Sequence, residues 1–178
     1  SVASRGLGDV YKRQILVQKQ DNNARTTMRS ALSGVLVQDR DNRTETIEDL
    51  RTVTATAPTP AQVDDMLFAA KVVKHCRSNA IVLAHGHTLC AAGVGQTSRV
   101  DSLRQAIAKA QAFGMPLDGA VMASDAFFPF GDCVQIAHEA GITAVIQPGG
   151  SIRDHESVEY CDAHGLAMTM TGIRHFRH

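Results

Sequence analysis

Between Gly119 and Met170 the chain alternates short apolar runs with capped helical patterns, and this alternation restricts the fold more than any other feature. Gly119-Ala120-Val121-Met122-Ala123 reads as a buried strand, and Cys133 to Ala140 as a helix closed by Gly141. Thr143 to Ile146 reads as a second strand. Ser151 then caps a helix from Ile152 to about His164, Gly165 closes it, and Leu166 to Met170 makes a third strand. Strand, helix, strand, helix and strand in that order predict an α/β fold with parallel strands and right-handed crossovers. Open α/β sheets bind ligands at the carboxyl ends of their strands. The loops that follow these strands are therefore the first place to look for a site.

The first such loop is Ser124 to Asp132, with Asp125, Phe127, Phe128, Pro129 and Phe130 between its ends. The chain has six Phe and two Tyr. Three rings within four residues of one loop must line a pocket, meet an interface or plug the core, because a large exposed apolar patch is costly. The second loop is Gln147-Pro148-Gly149-Gly150-Ser151, whose glycines allow close backbone approach. Earlier in the chain, Gly93-Val94-Gly95-Gln96-Thr97-Ser98 leads into a helix from Arg99 to Ala112 that Thr97 or Ser98 can cap. The backbone N–H groups of such a start favour anions, although glycines at this spacing are a weak phosphate signal by themselves.

Upstream, Thr54 to Pro60 is a breaker-rich link. Thr59, Pro60 and Gln62 form a capping-box start for a helix through about Lys71, with Val63, Met66, Leu67 and Ala70 on one face. Ile81–Ala84 and Leu89–Ala92 flank His85-Gly86-His87-Thr88, which predicts a hairpin with a solvated turn. The two turn histidines lack a third metal ligand at useful spacing. Gly34 to Asp41 reads as a strand ending in a polar turn. Ile15-Leu16-Val17 is a strand fragment before the polar break Gln18 to Arg25. Residues 1–14 have no apolar core of a signal peptide. Asp9-Val10-Tyr11-Lys12-Arg13-Gln14 is what GATGTGTATAAGAGACAG encodes, a transposon end used in sequencing libraries, so residues 1–14 are expected to be adapter-derived or disordered and the chain a truncated reading frame. The domain proper is then 15–178.

Composition removes several function classes. With 18 basic and 18 acidic side chains the formal net charge is +0, so there is no general attraction for nucleic acid or an anionic membrane. Hydrophobic content of 44% is ordinary for a soluble globular domain, and no apolar run approaches the roughly 20 residues that span a bilayer. Cys76, Cys90, Cys133 and Cys161 are far apart, which suits free thiols in a reducing cytoplasm.

Five ordered blocks resemble the purine-biosynthesis transformylase/cyclohydrolase family. They are Lys74 to Ile81 (KHCRSNAI), Gly95-Gln96-Thr97-Ser98-Arg99-Val100-Asp101, Ser124 to Phe130, Ile146 to Asp154, and Arg174-His175-Phe176-Arg177-His178. The resemblance implies a cytidine-deaminase-like three-layer α/β/α architecture, present twice in the transformylase domain, of which this chain covers little more than the C-terminal copy. It implies de novo purine biosynthesis: a formyl group passes from the co-substrate 10-formyltetrahydrofolate to 5-aminoimidazole-4-carboxamide ribonucleotide (AICAR), giving FAICAR, which the whole protein cyclises to IMP. A cytoplasmic homodimer acting on small molecules is implied too.

Block by block, Asn79, Arg99, Phe127 and Arg174 resemble the family's substrate-binding positions, and Val100, Asp132, Ser151 and Ile152 its folate-binding positions. The chemistry is sensible: a guanidinium can hold an anion bidentately, an amide both donates and accepts, and a phenyl ring offers a flat face. Asp125 and Phe176 are expected to be scaffold. The family's catalytic Lys-His pair belongs to a block that is absent here. Lys74-His75 is a different block, so no catalytic residue is assigned and the isolated chain is expected to be inactive. A non-catalytic nucleotide- or folate-binding module derived from the same domain is the alternative. Zinc deaminases need His-x-Glu or Cys-x-Glu with Pro-Cys-x-x-Cys, and neither motif occurs. Metal analysis of the purified chain is therefore expected to find no stoichiometric zinc; a one-to-one content that resists a chelator would overturn this.

Overall fold

A computed structural model describes residues 25–177, which fall into two compact units meeting between Asn42 and Arg43. The segment 1–14 and the expected strand fragment Ile15–Val17 lie outside the described residues. Among those residues no helix is long and apolar enough to cross a membrane. The first unit is an antiparallel hairpin of β1, Thr26–Ala31, and β2, Gly34–Asp39, paired from Thr26↔Asp39 to Ala31↔Gly34. Leu32 opens its two-residue connection at φ 50°, a positive φ of the kind that matches turn to strand twist. The strand expected from Gly34 is present. Its partner, TTMRSA, carries no apolar alternation that would have marked it.

The second unit contains β3 (Arg51–Thr52), α1 (Pro60–Val73), β4 (Ile81–His85), β5 (Thr88–Gly93), α2 (Arg99–Ala112) and β6 (Val121–Ser124). It continues with α3 (Asp132–Glu139), β7 (Ala144–Gln147), α4 (Asp154–His164) and β8 (Ala167–Met170). Its six strands form one sheet in the order β3-β8-β7-β6-β4-β5. β6, β7 and β8 run parallel as the strand–helix alternation predicts. The sheet as a whole is mixed, because β4 is antiparallel to both β5 and β6 and β3 is antiparallel to β8. The hairpin turn lies where it was expected, with Gly86 and His87 at φ 57° and 55°. The sequence did not reveal that buried Asp65 of α1 holds it, accepting from Gly86 N (2.8 Å) and His87 N (2.6 Å).

Side chains alternate across the strands and so build two cores. Ile81, Leu83, Met122, Val145 and Met168 face α2, α3 and α4 through Leu103, Ala106, Val134, Ala137 and Cys161. Val82, Ala84, Val121, Ala123, Ala144 and Ile146 face α1 through Met66, Ala69, Ala70 and Val73. The result is a three-layer α/β/α arrangement. Helix α2 lies so close to β5 that a Cβ on Gly93 would sit 1.8 Å from the Ser102 carbonyl oxygen; glycine there is a packing requirement.

The caps agree with the sequence at α1, where Gln62 N donates to Thr59 Oγ1 (3.3 Å) and Thr59 N to Gln62 Oε1 (2.9 Å). Ser98 is the cap of α2, accepting from Asp101 N at 3.1 Å. Helix α4 corrects the expectation. It starts at Asp154 with Arg153 as N-cap, while Ser151 accepts from Arg153 N (3.1 Å) through Oγ and from Asp154 N (3.2 Å) through its carbonyl. Ser151 thus shapes a turn before the helix and leaves the loop one residue pair longer.

All four cysteines are free thiols. Burial pushes Cys133 up to about 12, reinforced by the Asp132 charge, and pushes Cys161 up to about 12 likewise. Both stay protonated in the folded chain, whereas the unfolded thiols ionise above about pH 8.5. Their contribution to stability is full below that pH and is lost as pH rises toward 12. Near neutral pH iodoacetamide is expected to label half-buried Cys76 well before Cys133 and Cys161, and Cys133→Ala/Cys161→Ala should flatten the alkaline fall of the thermal midpoint. Equal labelling rates in the folded chain would refute this.

Candidate functional site

The carboxyl ends of the three parallel strands are Ser124, Gln147 and Met170, and the loops after them carry Phe127 and Asp132, Ser151 and Ile152, and Arg174. Because β4 is antiparallel to β6, with Ile81 opposite Ser124, its amino end brings Asn79 to the same edge. The next reversal pairs Ile81 with Gly93 at the end of β5, and so returns the start of α2, with Arg99, to that edge. The topology therefore collects all eight sequence-predicted site residues along one side of the sheet.

Arg99 is the centre of the contacts. Its side chain is 10% exposed and is paired with Asp125, which is 0% exposed, at 3.0 Å. Nε donates to Ser124 Oγ (3.2 Å), Nη1 to Asn79 Oδ1 (3.0 Å) and Nη2 to Asp125 Oδ1 (3.0 Å). A guanidinium has five N–H groups; with three committed, one remains on each terminal nitrogen for an anionic or carbonyl ligand. Asn79 is itself fixed, donating from Nδ2 to Gln96 O (3.1 Å), while Ser102 Oγ donates to the Asn79 carbonyl (2.8 Å).

A second pair lies on the neighbouring loops. The Arg174 guanidinium stands 4.9 Å over the Phe127 ring, a cation–π contact. Gly150, at φ +100°, makes room for it: a Cβ there would lie 3.1 Å from Arg174 Nη2. The two pairs are joined through Asp125, whose carboxylate takes Arg99 and whose carbonyl accepts from His175 N at 2.9 Å.

The remaining four residues are placed less centrally. Asp132 is exposed at the first turn of α3, its Oδ1 accepting from Cys133 N (2.8 Å). Ser151 is committed to its turn, Ile152 is 97% exposed, and Val100 packs against the α2–α4 core. The loops of Asp132 and Ile152 are linked by Arg153, whose guanidinium lies 5.0 Å over the Phe130 ring. The aromatic loop divides its rings: Phe128 is 0% exposed and plugs the core, Phe127 faces Arg174, and Phe130 is 49% exposed.

Lys74 and His75 each meet other parts of the chain. Lys74 Nζ donates to the Arg43 carbonyl and to Thr44 Oγ1 (3.1 Å), and the exposed His75 accepts on its carbonyl from Arg177 Nη1 (3.2 Å). Among the described residues no three His, Cys, Asp or Glu side chains group as a metal site. The sequence did not mark Ser124, which accepts from Arg99, or the buried pair of Glu45 Oε1 and His175 Nε2, 2.6 Å apart. Ser124 and His175 lie inside matching blocks and could have been marked, but nothing in the sequence near Glu45 signals this contact.

This end of the mixed α/β sheet thus carries a nearly buried arginine and a stacked arginine–phenylalanine pair. A family model described as AICARFT/IMPCHase bienzyme matches residues 3–109, a span that takes in most of residues 1–14. The bifunctional purine biosynthesis protein PurH of Bacteroides thetaiotaomicron is 62% identical over 172 residues, covering 97% of this chain and 34% of that protein. PurH of Aquifex aeolicus is 54% identical over 82% of this chain and 28% of its own length, and that of Acetivibrio thermocellus 47% identical over 92% and 32%. The chain belongs to the AICARFT/IMPCHase bienzyme family, and spans about a third of the length of the curated relatives it matches. A diaminohydroxyphosphoribosylaminopyrimidine deaminase/reductase from Thermotoga maritima superposes at a TM-score of 0.42 with 20% identity, over 61% of this chain and 34% of that one.

Removing one partner of a buried ion pair strands the other charge, at a cost of about 3–5 kcal/mol. Asp125→Ala is expected to lower the thermal midpoint by roughly 6–20 °C, taking about 2–4 °C per kcal/mol for a chain of this size. A calorimetric shift under about 2 °C would show that Arg99 does not depend on this carboxylate.

Proposed function

We propose that this chain is part of an AICAR transformylase domain, with a cytidine-deaminase-like fold, in an enzyme that transfers a formyl group from 10-formyltetrahydrofolate to AICAR. The whole protein, which we read as a cytoplasmic homodimer, also cyclises the product FAICAR to IMP. The observation that carries this reading is the convergence of Asn79, Arg99, Phe127 and Arg174 around buried Asp125 in a chain of this family. No observation favours a non-catalytic module.

In the transfer the substrate amine attacks the formyl carbon and a tetrahedral intermediate collapses, breaking the bond to the folate nitrogen. One proton leaves the amine and one reaches the departing nitrogen. The chain's residues supply positioning for this step. The free N–H groups of Arg99 and the exposed Arg174 suit anionic oxygens of the ribonucleotide, the Asn79 amide is held to orient Arg99, and Phe127 offers a face for the base. Val100, Asp132, Ser151 and Ile152 are read as the folate-binding positions, the exposed Asp132 carboxylate being suited to pterin N–H groups.

None of these side chains is a base suited to an aromatic amine. Loss of a positioned acid–base group costs on the order of 10²–10⁴ in rate. The purified 178-residue chain is expected to bind AICAR weakly, with amide resonances of Asn79, Arg99, Phe127 and Arg174 shifting in a titration, and to release no tetrahydrofolate when given both substrates. Shifts confined to other regions would sink the site assignment. Turnover abolished by His75→Ala would show that Lys74-His75 is catalytic after all.

A further inference from the structure

The segment that carries Arg174 is held at its neighbour His175 by a residue far outside the site's loops. His175 Nε2 and Glu45 Oε1 lie 2.6 Å apart, with side chains 2% and 4% exposed. The histidine's backbone is fixed as well, since its N–H donates to the Asp125 carbonyl at 2.9 Å. Two residues on, Ser78 N donates to the Arg177 carbonyl (2.9 Å) and Arg177 N to Ser78 Oγ (2.9 Å). The segment is thereby laid along the sheet edge between Asp125 and Ser78, with His175 turned inward and Arg174 turned out over Phe127.

Glu45 is anchored from the other side. Lys74 Nζ holds the Arg43 carbonyl and Thr44 Oγ1, immediately before it in the chain. A buried carboxylate–imidazole pair resists rotation strongly, because either partner alone would be a buried polar group without its counterpart. An exposed arginine with many rotamers, by contrast, loses binding strength to its own ordering unless something orders it first.

We propose that Glu45 is a positioning residue for Arg174: its buried pair with His175 sets the backbone from which Arg174 reaches the Phe127 face and the space beside Gly150. The importance of this for ligand binding rests on the reading of Arg174 as a nucleotide contact. Lys74 and His75, which look like an acid–base pair in the sequence, serve the same device, one tethering the Glu45 segment and the other accepting from Arg177.

The test is nuclear magnetic resonance of the 178-residue chain, free and with AICAR. Phe127 ring currents displace the Arg174 δ-proton resonances, and Phe127→Leu identifies that displacement by removing it. Glu45→Gln is expected to abolish it while the amide resonances of β4 to β8 stay dispersed. The same variant should weaken AICAR binding about tenfold, the factor also expected of Arg174→Ala, with no further loss in the double variant, since residues acting through one another are not additive. Glu45→Asp, one methylene shorter, is the second variant should Glu45→Gln not fold. Persistence of the displacement in a folded Glu45 variant overturns the proposal, as do additive losses in the double variant. Failure of both variants to fold also overturns it, since the core rather than Arg174 would then require Glu45. A wild-type chain that binds no AICAR defeats the functional reading, and the resonance displacement then decides the positioning role alone.

Discussion

The ion pair between Arg99 and Asp125 is the contact on which the rest of the site depends. Asp125 is fully buried and Arg99 nearly so, and the carboxylate's second oxygen has no hydrogen-bond partner among the described residues. Two charges taken out of water are stable only with good geometry and further hydrogen bonds; the geometry is good, and the further bonds are supplied on the arginine side. Ser124 and Asn79 take two more guanidinium N–H groups, and Asn79 is fixed in turn by Gln96 and Ser102. Once this cluster is formed, the start of α2, the end of β6 and the chain before β4 cannot move independently.

The mixed sheet is what makes that cluster possible. In an all-parallel sheet the start of a strand lies at the edge opposite its neighbour's carboxyl end. Reversing β4 and then β5 brings Asn79 and Arg99 to the edge where β6, β7 and β8 release their loops. The β4–β5 step needs only the Gly86-His87 turn that Asp65 holds from α1, and α2 then carries the chain from β5 past β4 to β6. A rigid three-layer core then carries a site built from five separate stretches of chain.

Division of labour within the aromatic loop follows from the same geometry. Phe128 points into the core below β6 and its N–H meets Gln147 Oε1 at 3.3 Å, tying the first loop to the second. Phe127 and Phe130, pointing away from that core, each meet an arginine from a later loop. Apolar area and cation–π attraction thus hold three loops in register where no backbone ladder reaches.

The sequence by itself determined the elements whose causes are local. The capping box at Thr59, the glycine stops after α3 and α4, the β4–β5 turn and the parallel β6 to β8 follow from interactions within a few residues, and they can be read along the chain. It also marked Arg99, Phe127 and Arg174 by block resemblance. The start of α4 escaped, because Ser151 satisfies a turn as readily as a helix cap. β1 escaped because its pairing with β2 is not accompanied by alternating burial. The tertiary structure alone decided which side chains meet: Asp125 with Arg99, Arg174 with Phe127, and Glu45 with His175 across 130 positions. Such pairs are set by the burial of charge and by strand order, and neither leaves a periodic or spacing signal in the chain.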